Sequence, residues 1–270
     1  MAKEIERGLV RTSIGYIHYR SAGAGRAVLM MHQNAGSSTL FLELLEALPD
    51  NVRGIGIDLP SCGFSDHVDQ IDIAGYARVV AEALAGIGVT KAAFFGAYGG
   101  AYIATELALT YPDLVDRIML VNTPWYPDKE TEVKHHQLVD RRRATDETGW
   151  PIPVKLGEIY PPQTLDPPGC PVPQTQSLVD RGNVNKALAG RNGMQLVQAF
   201  ENYDLPSNLA RVQHPVMSLM GQYYRYAKYM DDVVRVPKNG TPYIVKDACS
   251  DVVTEQPADI ASAIVSFLDK

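Results

Sequence analysis

Cysteine is scarce in this 270-residue chain: Cys62, Cys170 and Cys249 stand far apart and in odd number. None belongs to a CxxC pair or to Cys/His ligand spacing. That excludes a disulfide framework and a zinc site, and it predicts reduced thiols in a cytoplasmic protein. Long hydrophobic runs are also missing. The longest strongly apolar run, Ala27 to Met31, is far too short to span a bilayer, so no membrane partner is expected. Positive charge is in deficit, with 25 Lys and Arg against 31 Asp and Glu and a formal net charge of −6. Such a surface has no electrostatic footprint for nucleic acid or anionic lipid. The opening MAKEIERGLV is charged and has no apolar core, so it does not read as a secretory signal. There is no repeat, no low-complexity tract, no HExxH and no Walker loop. The glycines after Gly96 do not make a G-x-G-x-x-G turn, so neither a metal nor another cofactor is expected.

What is present is a length and an apolar fraction of 46% that allow one large core, or one core with an inserted lid. Up to about Pro127, short apolar runs alternate with helical patterns. Arg11 to Arg20, Ala27 to His32, Val52 to Asp58, Lys91 to Gly96 and Arg117 to Asn122 read as strands. Leu40 to Leu48, Ile73 to Ile87 and Ala101 to Tyr111 read as helices. Strands separated by helices of this length predict an α/β fold with a mostly parallel central sheet and helices on both faces. Between about Tyr126 and Leu205 the pattern loosens, and the prolines of PPQTLDPPGCPVP exclude regular helix or central strand there. Alternation then resumes with strands at Val216 to Gly221 and Thr241 to Val245 and a final amphipathic helix, Asp259 to Leu268. Two returning strands cannot build a core alone. The expected organisation is therefore a core of residues 1–125 and 206–270 with a lid at 126–205, in preference to two separate domains.

Four segments resemble the α/β-hydrolase superfamily: LMMHQNAGSS, IDLPSCGFSD, FFGAYGGAYIATELALTYPDLVDRIMLVNTP and VKDACSDVVTEQPADIASAIVSFL. They are similar to the family's oxyanion-hole loop, its D-x-P-G-x-G-x-S-D loop, its strand–elbow–helix–strand unit and its histidine loop with the last helix. Any one would be weak, but their order and spacing together carry the fold. The resemblance implies a site at which this sequence departs from the family. The elbow G-x-S-x-G falls on Gly96-Ala97-Tyr98-Gly99-Gly100, which puts Tyr98 at the nucleophile position. The turn that usually carries the acid reads Gly221-Gln222-Tyr223-Tyr224, the alternative acid position is Asn122, and Ser250 stands in the histidine's place.

A serine–histidine–acid relay does not transfer to Tyr98, Ser250 and Tyr224. A phenol of ordinary pKa, about 10, is neutral at pH 7 and a better donor than nucleophile. The expectation is therefore a cofactor-independent enzyme acting on a small, fairly apolar carbonyl or aromatic compound by lyase, isomerase, decarboxylase or cyclase chemistry. Tyr98, Tyr224 and Ser250 would be the catalytic groups, and Gln33, Asn34 and Gly99 the oxyanion hole. Trp125, Tyr126, His135, His136 and Tyr223 would line the pocket, with Tyr102 also aromatic there. The alternatives are a hydrolase with directly activated water, or a non-catalytic small-molecule-binding relative. His32 and His214 read as structural, His18 as a strand-surface residue, His67 as the end of an exposed loop, and Cys62 as an inert thiol. Beyond a small molecule, the partner to expect is a second copy of the chain in a homodimer.

Overall fold

The central strand β3 (Arg26–Met31) shows how this sheet is held. Val28 and Met30 enter one core and Leu29 and Met31 the other, so a continuous apolar run is buried on both faces. The same alternation recurs in β5 (Ala92–Ala97), with Phe94 facing one way and Phe95 the other. In the computed structural model, which describes residues 3–126, 128, 130–131, 145–153 and 175–270, these strands belong to one sheet of eight. The others are β1 (Glu6–Thr12), β2 (Gly15–Ala22), β4 (Val52–Ile57), β6 (Val115–Val121), β7 (Val216–Gly221) and β8 (Gly240–Val245). Their order is β1-β2-β4-β3-β5-β6-β7-β8, antiparallel from β1 to β4 and parallel from there on.

Helices α2 (Ile73–Gly86) and α3 (Gly99–Thr110) cover one face. Helix α1 (Leu42–Ala47) and the final helix Pro257–Leu268 cover the other. The single strand read at Arg11 to Arg20 is instead a hairpin, because Gly15 takes a φ of +129° and Thr12 Oγ1 closes the turn on the Gly15 carbonyl. The helix read from Leu40 begins earlier, as a 3-10 turn at Ser38–Phe41 capped by Ser37.

Chain order reverses at β3: β4 pairs on one side and β5 on the other. Loops leaving the carboxyl ends of β3 and β5 therefore diverge to opposite faces and open a crevice between them, the usual place for a site in such sheets. The stretch between β6 and β7 holds the described helices Gln176–Ala189, Gln195–Phe200 and Leu205–Leu209. Polar contacts bind this insert to the sheet's carboxyl edge. Arg181 pairs with Glu43 at 2.6 Å, Asn185 accepts from Ser37, and Gln195 Nε2 donates to the Val68 carbonyl. His135, His136 and Cys170 lie outside the described residues.

The expectation of three reduced thiols is corrected for Cys249, which is buried and disulfide-bonded. Wide spacing in sequence sets no limit on distance in the fold, and the cytoplasmic expectation loses the support it drew from those thiols. Cys62 is a free, buried thiol whose pKa burial pushes up to about 12, so it is inert near neutral pH. Among the described residues no helix is long and apolar enough to cross a membrane.

Candidate functional site

Strand β5 runs into α3 through one residue, Tyr98, held at φ 50°, ψ −109°. Positive φ in a bulky residue costs about 1–3 kcal/mol and persists only where its surroundings impose it. They do so here. The Tyr98 amide donates to the Val121 carbonyl on the neighbouring strand at 2.9 Å, and the Ala101 amide donates to the Tyr98 carbonyl at 3.0 Å. A Cβ on Gly96 would lie 2.3 Å from the Gly100 carbonyl oxygen, and one on Gly100 would lie 2.5 Å from that of Met31. These two glycines allow the turn to be this tight. Gly99 opens α3, so its amide has no acceptor within the helix.

The Tyr98 ring reaches over the end of the sheet. Its hydroxyl donates to the Ser250 carbonyl at 2.5 Å. Asn122 Nδ2, at the end of β6, donates to the same carbonyl at 2.7 Å, while Asn122 Oδ1 accepts from the Gly221 amide at 3.1 Å. Asn122 is wholly buried and has φ 44°, so its side chain is a fixed strut. Two sequence-predicted positions, Tyr98 and Ser250, are thus brought together, but through a backbone carbonyl. The loop also rests on Glu255, whose carboxylate accepts from the Cys249 amide at 2.6 Å. Tyr224 is buried against Tyr98, with ring centroids 5.9 Å apart and nearly perpendicular, and against Tyr226 at 5.6 Å.

On the other side of the crevice, His32 is completely buried. Its Nε2 accepts from the Leu59 amide at 2.9 Å and its Nδ1 donates to the Gln33 carbonyl at 2.7 Å. Desolvation lowers its pKa, so it stays neutral, and both nitrogens are committed to loop structure. Gln33 and Asn34 follow in the half-buried loop, with Ala35 at φ 53°. Asn34 Nδ2 donates to the Gly193 carbonyl at 2.5 Å, which ties this loop to the insert. A Cβ on Gly99 would lie 2.8 Å from Leu196 Cδ2 and 3.4 Å from Phe200 Cε1. The helix Gln195–Phe200 therefore packs directly on the elbow.

Open space lies one helical turn further along α3. A cleft of about 420 Å³ is bounded by Tyr102, Trp125, Tyr126, Phe200 and Tyr203, with Asp128, Glu201 and Asp204 also on its wall. Tyr102 stacks on Phe200 with centroids 4.6 Å apart, and Tyr203 is anchored by donating to Glu106 at 3.0 Å. Of the aromatic residues predicted to line a pocket, Tyr102, Trp125 and Tyr126 do so here. Tyr223 and Tyr224 do not border this cleft.

A family model described as alpha/beta hydrolase fold matches residues 26–151. An esterase from Thermogutta terrifontis superposes with a TM-score of 0.79 at 21% identity, covering 98% of each chain. The chain has the α/β-hydrolase fold. Epoxide hydrolase VrEH1 from Vigna radiata superposes with a TM-score of 0.76 at 18% identity, again over 98% of each chain. In sequence, the chain is 29% identical to haloalkane dehalogenase 2 of Mycobacterium tuberculosis over 123 residues. That match spans 43% of this chain and 41% of the relative's length.

A second polar cluster of this α/β-hydrolase fold was missed at the sequence level. His18, read as a strand-surface residue, is buried and its Nδ1 lies 2.9 Å from Asp58 Oδ2. Asp58 also accepts from the amides of Ser38 at 2.6 Å and Phe64 at 2.9 Å. Burial alone would raise its pKa, but His18, the Phe64 amide and Ser38 together hold it down at about 2. Strand alternation placed His18 on an outer face. The loop Asp58–Asp66 folds back over that face and covers it. Leu196, Phe200 and Gly193, which close over the elbow, carry no motif that marks them in the sequence.

Proposed function

We propose that this protein is a small-molecule-binding member of the α/β-hydrolase fold that holds a compact apolar or aromatic carbonyl compound without forming a covalent acyl intermediate. One observation carries the reading: the Ser250 carbonyl accepts both the Tyr98 hydroxyl and the Asn122 amide. At the elbow of this fold a hydrolase presents a nucleophile to a base. Here the side chain in that place is a neutral phenol whose proton holds a loop, and the elbow lies under Leu196 and Phe200. The ligand then occupies the aromatic cleft, whose size suits a small organic molecule. Residues 1–125 and 206–270 form the core in this reading and 126–205 the lid. Relatives named haloalkane dehalogenase and epoxide hydrolase support a small molecule as ligand.

The backbone of Tyr98 favours a second reading. A strained φ of 50° is kept at a residue where relaxation would be stabilising. In that reading the protein is a cofactor-independent lyase, isomerase, decarboxylase or cyclase, or a hydrolase with directly activated water. Tyr98 would release Ser250 and donate to a substrate oxygen, with Tyr224 and Ser250 as the polar wall.

Trp125 lies in the cleft, so the Trp150→Phe protein is a one-tryptophan reporter. A panel of small aromatic ketones, aldehydes and esters is expected to quench it saturably. Tyr102→Ala and Phe200→Ala should weaken that response, and Tyr98→Phe should leave it unchanged. A fluorophosphonate should label no serine. Labelling, or ester turnover lost in Ser250→Ala, would overturn the binding reading. Turnover of any panel member that falls more than about tenfold in Tyr98→Phe would replace it with the second.

A further inference from the structure

Away from the cleft, on the antiparallel edge of the sheet, Arg20 of β2 is only 5% exposed. Its Nε finds no acceptor among the described residues, and no carboxylate among them comes within ion-pair distance of the guanidinium. Directly opposite in register stands Arg7 of β1, an exposed residue. Residues opposite one another in an antiparallel pair share a face, so two positive charges lie side by side where like charges destabilise pairing. On the other flank Arg20 is paired with Gly56, which has no side chain to answer it. A Cβ there would lie 3.0 Å from Phe41 Cδ2, so the neighbouring wall is apolar.

The charge of Asp58 favours the charged guanidinium through space. Its oxygens already accept from His18, Ser38 and Phe64. Desolvation, and then Arg7, work against Arg20 holding its proton. A buried guanidinium nitrogen left unpaired is costly, and replacing the side chain with an apolar one is commonly neutral or better. Its retention beside a second arginine makes sense if an anion completes the group.

We propose that Arg7 and Arg20 form a binding site for a small phosphate-type oxyanion, separate from the aromatic cleft. Two planar guanidinium forks offer more donors than the two oxygens of a carboxylate accept. A tetrahedral oxyanion with three or four oxygens matches them. The shared chemistry is a phosphate group, either free or as the monoester of a small molecule.

Thermal denaturation and calorimetric titration of the whole protein test this, with inorganic phosphate and glycerol 3-phosphate each compared with chloride at equal ionic strength and pH. A saturable rise in Tm with phosphate, absent with chloride, is expected. Arg20→Met should keep or raise the Tm in chloride and lose the phosphate response. Arg7→Ala, at an exposed position where folding is not at risk, should weaken phosphate binding about tenfold. Tighter binding of glycerol 3-phosphate assigns a monoester as the ligand, and equal or tighter binding of inorganic phosphate assigns the free anion. The proposal is overturned if phosphate does no more than chloride, or if Arg7→Ala leaves the response undiminished.

Discussion

Two buried polar groups sit at the carboxyl edge of this sheet, and they hold their loops by different means. Around Ser250, neutral donors from Tyr98 and Asn122 converge on one backbone carbonyl. Around Asp58, a carboxylate gathers His18 and the amides of Ser38 and Phe64. The second group contains a formal charge whose loss strands its donors. In the first, the groups that meet on the Ser250 carbonyl carry no formal charge, and the Glu255 carboxylate enters only beside them, on the Cys249 amide. The uncharged convergence lies beside the elbow, and the charged cluster fastens the loop that follows β4.

The comparison breaks most easily at Asp58. Asp58→Ala leaves His18, the buried Ser38 amide and the part-buried Phe64 amide without an acceptor and is expected to destabilise by roughly 3 kcal/mol or more, read from urea unfolding. A loss under about 1 kcal/mol would make the cluster ornamental. Next comes pH. The Asp58 pKa is lowered from 3.8 to about 2, so its contribution is complete above about pH 4 and lost as pH falls toward 2. That contribution is about 2 kcal/mol. Urea midpoints taken across this window should fall in the wild type, and Asp58→Asn should flatten the dependence.

Asn122→Ala removes a strut that bonds in both directions, and should destabilise by roughly 1–3 kcal/mol by the same assay. Neither Asn122 nor the carbonyl it holds titrates, so that deficit should stay constant from pH 7 to pH 6. A deficit that changes at lower pH would report the Glu255 carboxylate, which holds the same loop. The smallest effect is expected for Tyr98→Phe, about 0.5–1.5 kcal/mol for one hydrogen bond. A gain in stability there would mean that the phenol is held at a cost, as the enzymatic reading requires.

Much of this was legible in the chain itself. The apolar runs at Val28–Met31 and Val216–Gly221 are fully buried strands, and hydrophobicity without alternation is enough to say so. The elbow was legible because Gly96 and Gly100 permit backbone contacts that no other residue allows. The meaning of Tyr98 was not. A phenol at an elbow can point at a ligand or at the protein, and only the position of the 247–250 loop chose the Ser250 carbonyl. His18 was misjudged for a related reason: period-two alternation says which face a residue takes, and nothing about which loop later covers it.

The sequence by itself determined the sheet, its parallel run, the elbow and the identity of the groups at its edge, since these follow from local pattern and from the steric demands of a few glycines. Only the tertiary structure decided what those groups do. The pairing of Tyr98 and Asn122 on Ser250 and the seating of Leu196 and Phe200 over Gly99 join segments far apart in the chain. Hydrogen bonding and charge depend on distance in space, and no local pattern carries that distance.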